Sequence, residues 1–171
     1  MRQLNRTTVT NAVLAVILVA LCGWLVLFAI RGSEAAPGST PTEKLADQYS
    51  DISRAAHSET LAFLAIDHKR MDELTQRVLD GATGTFEKQY KASLKSLKET
   101  AVSQESISKG RVDEVGVSEV EARTATVFVA AGSKVQNKGT KGKVEDRSWR
   151  IKLTMAKEHG RWLVSQLEFV G

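Results

Sequence analysis

Nineteen consecutive residues, Ala12 to Ile30, carry no charge. At a rise of about 1.5 Å per residue, a helix of that length spans about 28 Å, close to the hydrocarbon thickness of a bilayer. A core helix of a water-exposed domain rarely needs so long an apolar run. The stretch therefore predicts a transmembrane helix over 12–30, with Leu14, Ile17, Leu21, Trp24, Leu27 and Ile30 as its membrane anchors.

The flanks set the orientation. Arg2, Arg6 and the terminal amine precede the stretch, and Arg31 and Glu34 follow it. An excess of basic residues on the N-terminal side favours a cytoplasmic N-terminus, residues 1–11, and an extracytoplasmic C-terminal part. A cleaved leader fits less well. Its apolar region is shorter, about 7–15 residues, and Pro37 crowds the one small-residue site near Ser33–Ala36. A lipid-modified leader on Cys22 also fits poorly, because Leu21 occupies the position of a small residue and apolar residues continue beyond it.

Cys22 is the sole cysteine, so the part beyond the span has no disulfide and depends on an apolar core. The formal charge of +4 shrinks there. Without Arg2, Arg6, Arg31 and Glu34, 21 basic and 19 acidic residues remain. A nearly neutral domain argues against a nucleic-acid partner.

Pro37, Gly38, Ser39, Thr40 and Pro41 close a linker over 31–41, and a domain follows over 42–171. Leu45, Tyr49, Ile52, Ala56, Phe63 and Ile66 recur at helical spacing and predict one long helix over Thr42–Ile66, capped by Thr42. Met71, Leu74 and Val78 predict a short helix ending near Gly81. Phe86, Tyr90, Leu94, Leu97 and Ala101 predict a third, capped by Thr83 or Thr85.

From Ile107 the period changes to alternation. Strands are expected over Ser108–Val117, Thr124–Ala131, Arg147–Met155 and Arg161–Val170. Lys134–Lys143 reads as a polar hairpin loop, and Glu158-His159-Gly160 as a tight turn. In the last strand Trp162 and Val164 stand in opposite parity to Leu167 and Phe169, which predicts a bulge or bend. The expected class is α+β: about three helices packed on a curved antiparallel sheet of about four strands.

Several motifs resemble the Mce-associated membrane proteins of actinobacteria, accessory subunits of Mce lipid-import systems. They are Ala55-Ala56 with Thr60-Leu61-Ala62-Phe63-Leu64, Asp67, Thr83-Gly84-Thr85-Phe86 with Tyr90, Gly116-Val117, Ala125-Thr126-Val127-Phe128-Val129-Ala130, and Gly160-Arg161-Trp162-Leu163-Val164 with Leu167. The resemblance implies the cone-shaped nuclear transport factor two-like fold. It also implies Mce transporter subunits, or a related membrane complex, as partners. The family is similar in build to inner-membrane scaffold subunits of type IV secretion systems, and it offers no catalytic residues.

His57 sits at the edge of the first helix. Asp67 and His68 are adjacent and point about 100° apart on a helix, which suits capping better than a shared acid–base site. His159 lies in a turn. No spacing of His, Cys and carboxylates forms a metal site, and no phosphate-binding loop or nucleophile motif occurs, so neither a cofactor nor a catalytic set is expected.

Lys88, Lys91, Lys95 and Lys98 form a basic stripe on the third helix. Two readings fit it: a solvated face, or a surface meeting anionic headgroups at about 1 kcal/mol per residue. Phe128, Trp149, Trp162 and Phe169 are candidates to line a cone for an apolar lipid ligand, or simply to fill a core. The function expected is a non-enzymatic accessory protein of an Mce-type lipid or sterol importer. A lipid- or steroid-binding cone and a secretion-system assembly scaffold are the alternatives.

Overall fold

The computed structural model describes residues 40–171. The apolar stretch 12–30 and its anchors lie outside these residues, as does most of the expected linker. Among the described residues, no helix is long and apolar enough to cross a membrane.

Helix α1 spans Pro41–Leu64, α2 Met71–Gly81 and α3 Gly84–Ser103. Helix α1 starts at a capping box. The Glu43 backbone N–H donates to Thr40 Oγ1 at 3.2 Å, and the Thr40 N–H donates to Glu43 Oε2 at 2.6 Å. The cap is thus Thr40, not Thr42. Pro41 opens the helix rather than closing the linker, as its fixed φ and missing N–H allow.

The strands are β1 (Ile66–Asp67), β2 (Ile107–Val120), β3 (Thr124–Gln136), β4 (Glu145–Glu158) and β5 (Arg161–Phe169). They form one antiparallel sheet in the order β1-β2-β3-β4-β5. The sheet therefore has five strands where four are expected. The extra strand is two residues long, too short to leave a period in the sequence. Strands β3 and β4 also run further than expected. Lys134 and Val135, inside the segment expected as a loop, pair with Asp146 and Glu145 beyond it.

The expected irregularity in the last strand is present. Register shifts at Ser165, so that Val164 faces Met155, Leu167 faces Leu153 and Phe169 faces Ile151. One extra residue thus returns Trp162, Val164, Leu167 and Phe169 to one side of the sheet. Two bulges in β2, at Asp113 and Ser118, do the same for Val112, Val115, Val117 and Val120. The turn His159-Gly160 has positive φ at both positions, 48° and 79°, as a two-residue hairpin of this twist requires.

The core lies between the helices and this side of the sheet. Ile52 and Ala56 of α1, Val78 of α2 and Phe86 of α3 meet Val127, Val129, Ile151, Leu153, Met155 and Val164. The alternation of β4 sends Ile151, Leu153 and Met155 inward, each fully buried.

Candidate functional site

Away from this filled core, the helix side of the sheet opens into a cavity of about 320 Å³. Phe63, Tyr90, Leu97, Trp149, Phe169 and Met71 are among the residues around it. The third helix explains the opening. Its apolar stripe is buried at Phe86 and Ala101, but Tyr90, Leu94 and Leu97 between them are only half-buried. The aromatic rings make a connected wall, with centroids 5.9 Å apart for Phe63–Phe86, 6.1 Å for Phe63–Phe169 and 5.4 Å for Trp149–Phe169. Three polar side chains in the wall are spent locally. Trp149 Nε1 donates to Ser133 Oγ, Ser108 Oγ to the Leu64 carbonyl, and Thr75 Oγ1 to the Met71 carbonyl.

Of the four aromatic residues expected to line a cone, Trp149 and Phe169 reach this cavity. Phe128 does not. It stands between the buried Val127 and Val129 on β3, so the pleat turns it to the opposite side of the sheet, 45 % exposed. Trp162 is on the helix side, but it borders a separate cleft.

That cleft, of about 420 Å³, lies between α1, the end of α2 and the β4–β5 turn. It holds a residue that the sequence reading missed. Glu59 is 5 % exposed, and its Oε1 is buried without a hydrogen-bond partner among the described residues. Its signal was positional: it falls three residues after Ala56, seven after Ile52 and four before Phe63, on the core-facing stripe of α1. Burial, reinforced by the Asp80 charge, pushes its carboxyl up to about 8. Glu59 is therefore mostly protonated at neutral pH. Gly81 admits it, because a Cβ there would lie 1.9 Å from Glu59 Oε2. The Trp162 indole N–H is likewise buried without a partner. Arg161, at the cleft's exposed edge, donates to the Asp80 carbonyl at 2.9 Å.

Thr83 occupies the position before α3, as expected, but its hydroxyl does not cap the helix. It donates instead to Glu158 Oε1, and its N–H to the Val164 carbonyl, fixing the start of α3 to the sheet.

The basic stripe divides. Lys91 pairs with Glu87 at 2.5 Å and Lys98 with Asp72 of α2 at 2.6 Å, whereas Lys88 and Lys95 are exposed. The histidines stay apart. His57 faces a groove with Arg54, Asp67, Arg70 and Lys109, His68 is half-buried near Glu105 and Lys138, and His159 is in the hairpin turn. Asp67 accepts from the Lys69 N–H and Arg70 Nε, bonds that hold its carboxyl below the usual range. It acts as a turn cap. Among the described residues no cluster of three or more His, Cys, Asp or Glu is placed to hold a metal.

The fold is similar to domains of several solved proteins. An IcmL-like type IV secretion system protein of Legionella pneumophila superposes with a TM-score of 0.58 at 10 % identity, covering 71 % of this chain and 91 % of that one. CagV of Helicobacter pylori, a VirB8 homolog of a type IV secretion system, gives 0.57 at 6 % identity, covering 71 % and 97 %. The periplasmic domain of DotI gives 0.57 at 7 % identity, covering 80 % and 99 %. At such identities the likeness is one of fold. In sequence, the chain is 30 % identical over 106 residues to the uncharacterized protein Rv1363c of Mycobacterium tuberculosis. That match takes in 62 % of this chain and 40 % of the relative, so the chain spans well under half of the relative's length. The family described as "Uncharacterized protein Rv1363c/MT1408-like" matches over residues 7–171, and the chain belongs to it.

Proposed function

We propose that this chain is a non-enzymatic, single-pass membrane protein whose extracytoplasmic domain serves as an assembly scaffold in a cell-envelope complex. The observation that carries the reading is the shared fold with three secretion-system proteins, each matched over at least 71 % of this chain. The uncharged stretch 12–30 supplies the tether, which confines the domain to the membrane surface where such partners sit. An effective concentration raised by tethering lets weak contacts suffice for assembly.

Two complexes fit. The fold likeness favours a secretion-type assembly, and the sequence resemblance favours an Mce-type lipid importer. Crosslinking in intact cells, followed by purification of the full chain in mild detergent, separates them. Co-purified secretion subunits support the first, and Mce subunits the second. Recovery of the chain alone after crosslinking counts against both.

The cavity between Tyr90, Leu97, Trp149 and Phe169 favours a second reading, an apolar ligand held beside the sheet. Its volume is at the low end of ligand sites, suited to one short chain rather than a large lipid. Native mass spectrometry of the full chain tests this through a bound apolar mass that disappears in Leu97→Trp.

A further inference from the structure

The Glu59 cleft has features that scaffolding does not require. A carboxyl on the core stripe of a helix is costly to bury, and here a glycine in α2 makes room for it. Two buried polar groups, Glu59 Oε1 and Trp162 Nε1, have no partner among the described residues, and both residues line the same cleft. Unsatisfied buried groups are rare in folded proteins, and two beside one opening call for a partner from outside the chain.

The chemistry of the lining narrows the ligand. Trp162 Nε1 is a donor only. Glu59, neutral at physiological pH, presents an O–H as well as a carbonyl oxygen. The charged and titratable groups around the cleft are mixed: Asp80 on α2 and Tyr90 on α3 interact with Glu59, Asp51, Arg54 and Arg161 line the opening, and Lys157 of β4 lies over the Trp162 ring. Arg54 turns to Asp51 at 3.3 Å and to Ser50. Arg161 pairs with no carboxylate among the described residues, only with the Asp80 carbonyl. Glu59 Oε1 and the Trp162 N–H thus lie buried just beneath the cleft's lining, and Arg161 is a cation at its edge without an anionic partner among the described residues. Ala55, Leu163 and the Trp162 ring add apolar lining.

We infer that this cleft binds a small organic carboxylate, with the Glu59 O–H and the Trp162 N–H donating to its oxygens and Arg161 balancing its charge. The inference is independent of the scaffold reading and stands or falls without it. It has a distinctive proton linkage. Ionised Glu59 repels a carboxylate and loses its donor, so binding requires the protonated acid.

The test uses the full chain in zwitterionic lipid nanodiscs, with 4-fluorobenzoate as the probe and fluorine NMR line broadening as the readout. Empty nanodiscs give the background. Broadening is expected at about pH 6.5 and falls about tenfold per unit above about pH 8. In Glu59→Gln, which keeps a donor but cannot ionise, binding persists and the slope disappears. Arg161→Met weakens binding about tenfold. Ser58→Trp, which fills the cleft from an exposed position, abolishes it and keeps the inference testable if Glu59→Gln misfolds. No broadening at the lower pH overturns the inference. So does equal broadening of the neutral analogue 4-fluorobenzyl alcohol, a pH slope that survives in folded Glu59→Gln, or binding unchanged in Ser58→Trp.

Discussion

Two parts of the helix–sheet interface use the same kinds of residue and reach different ends. Around Leu153, the side chains of Ile52, Val78, Val127, Ile151 and Val164 are essentially inaccessible. Around Trp149, the rings of Phe63, Tyr90 and Phe169, with Leu97, enclose unfilled space, and Phe169 stays 55 % exposed. Hydrophobicity does not separate the two. Shape does: β-branched and aliphatic residues on adjacent strands interdigitate with helix residues, while the rings meet at tilted angles, 45° for Phe63–Phe169 and 49° for Trp149–Phe169, and leave gaps. Between them sits Glu59, a polar group on the apolar stripe, which neither region accommodates by packing alone.

The comparison can be broken most directly in the filled region. Leu153→Ala is expected to cost about 2–5 kcal/mol in denaturant unfolding, the range for a fully buried leucine that leaves a cavity. A loss under about 1 kcal/mol would mean that this region is as loose as the aromatic one. Gly81→Ala comes next. Its methyl would collide with Glu59, and a loss of about 1–3 kcal/mol is expected. Adding Glu59→Ala should recover most of that loss. A double variant whose effects simply add would show that the two residues are not coupled.

The buried acid gives a pH signature with a definite sign. Glu59 titrates near 8 in the folded chain, against 4.5 when unperturbed. Between those values the folded state holds a proton that the unfolded state has released. Its contribution to stability is thus complete below about 4.5, declines by roughly 1 kcal/mol per pH unit as pH rises toward 8, and levels off above. Glu59→Gln should flatten that decline in unfolding measured across the window. A wild-type curve that already lacks it would place Glu59 in a wetter site. The smallest effect belongs to the aromatic region. Leu97→Phe adds volume beside open space and should change stability by less than about 1 kcal/mol, whereas a larger loss would show that the space is not available.

Much of the fold was legible in residues. The stripe of α2, the inward set Ile151, Leu153 and Met155, and the bulge in β5 all follow from spacing, whereas the cap of α1 falls on Thr40 rather than on the expected Thr42. The structure departs from expectation where a residue's chemical type and its place in the period point different ways. Phe128 was grouped with the cone aromatics although its neighbours Val127 and Val129 hold the opposite parity. Lys134 opens the polar segment expected as a loop, yet ladder hydrogen bonds and cross-strand pairing extend the hairpin through it and Val135. Glu59 was passed over for the same reason, although its position on the α1 stripe is as regular as that of Ile52.

By itself, the sequence determined the uncharged stretch of bilayer length, the order of three helices before four long strands, and which side of β3 and β4 is apolar, because these depend on local period and composition. Only the tertiary structure decided that the aromatic end stays open, that Glu59 lies against Gly81, and that Trp162 joins it at a cleft. Those outcomes depend on how residues far apart in the chain fit in three dimensions, and no local period encodes the space left between them.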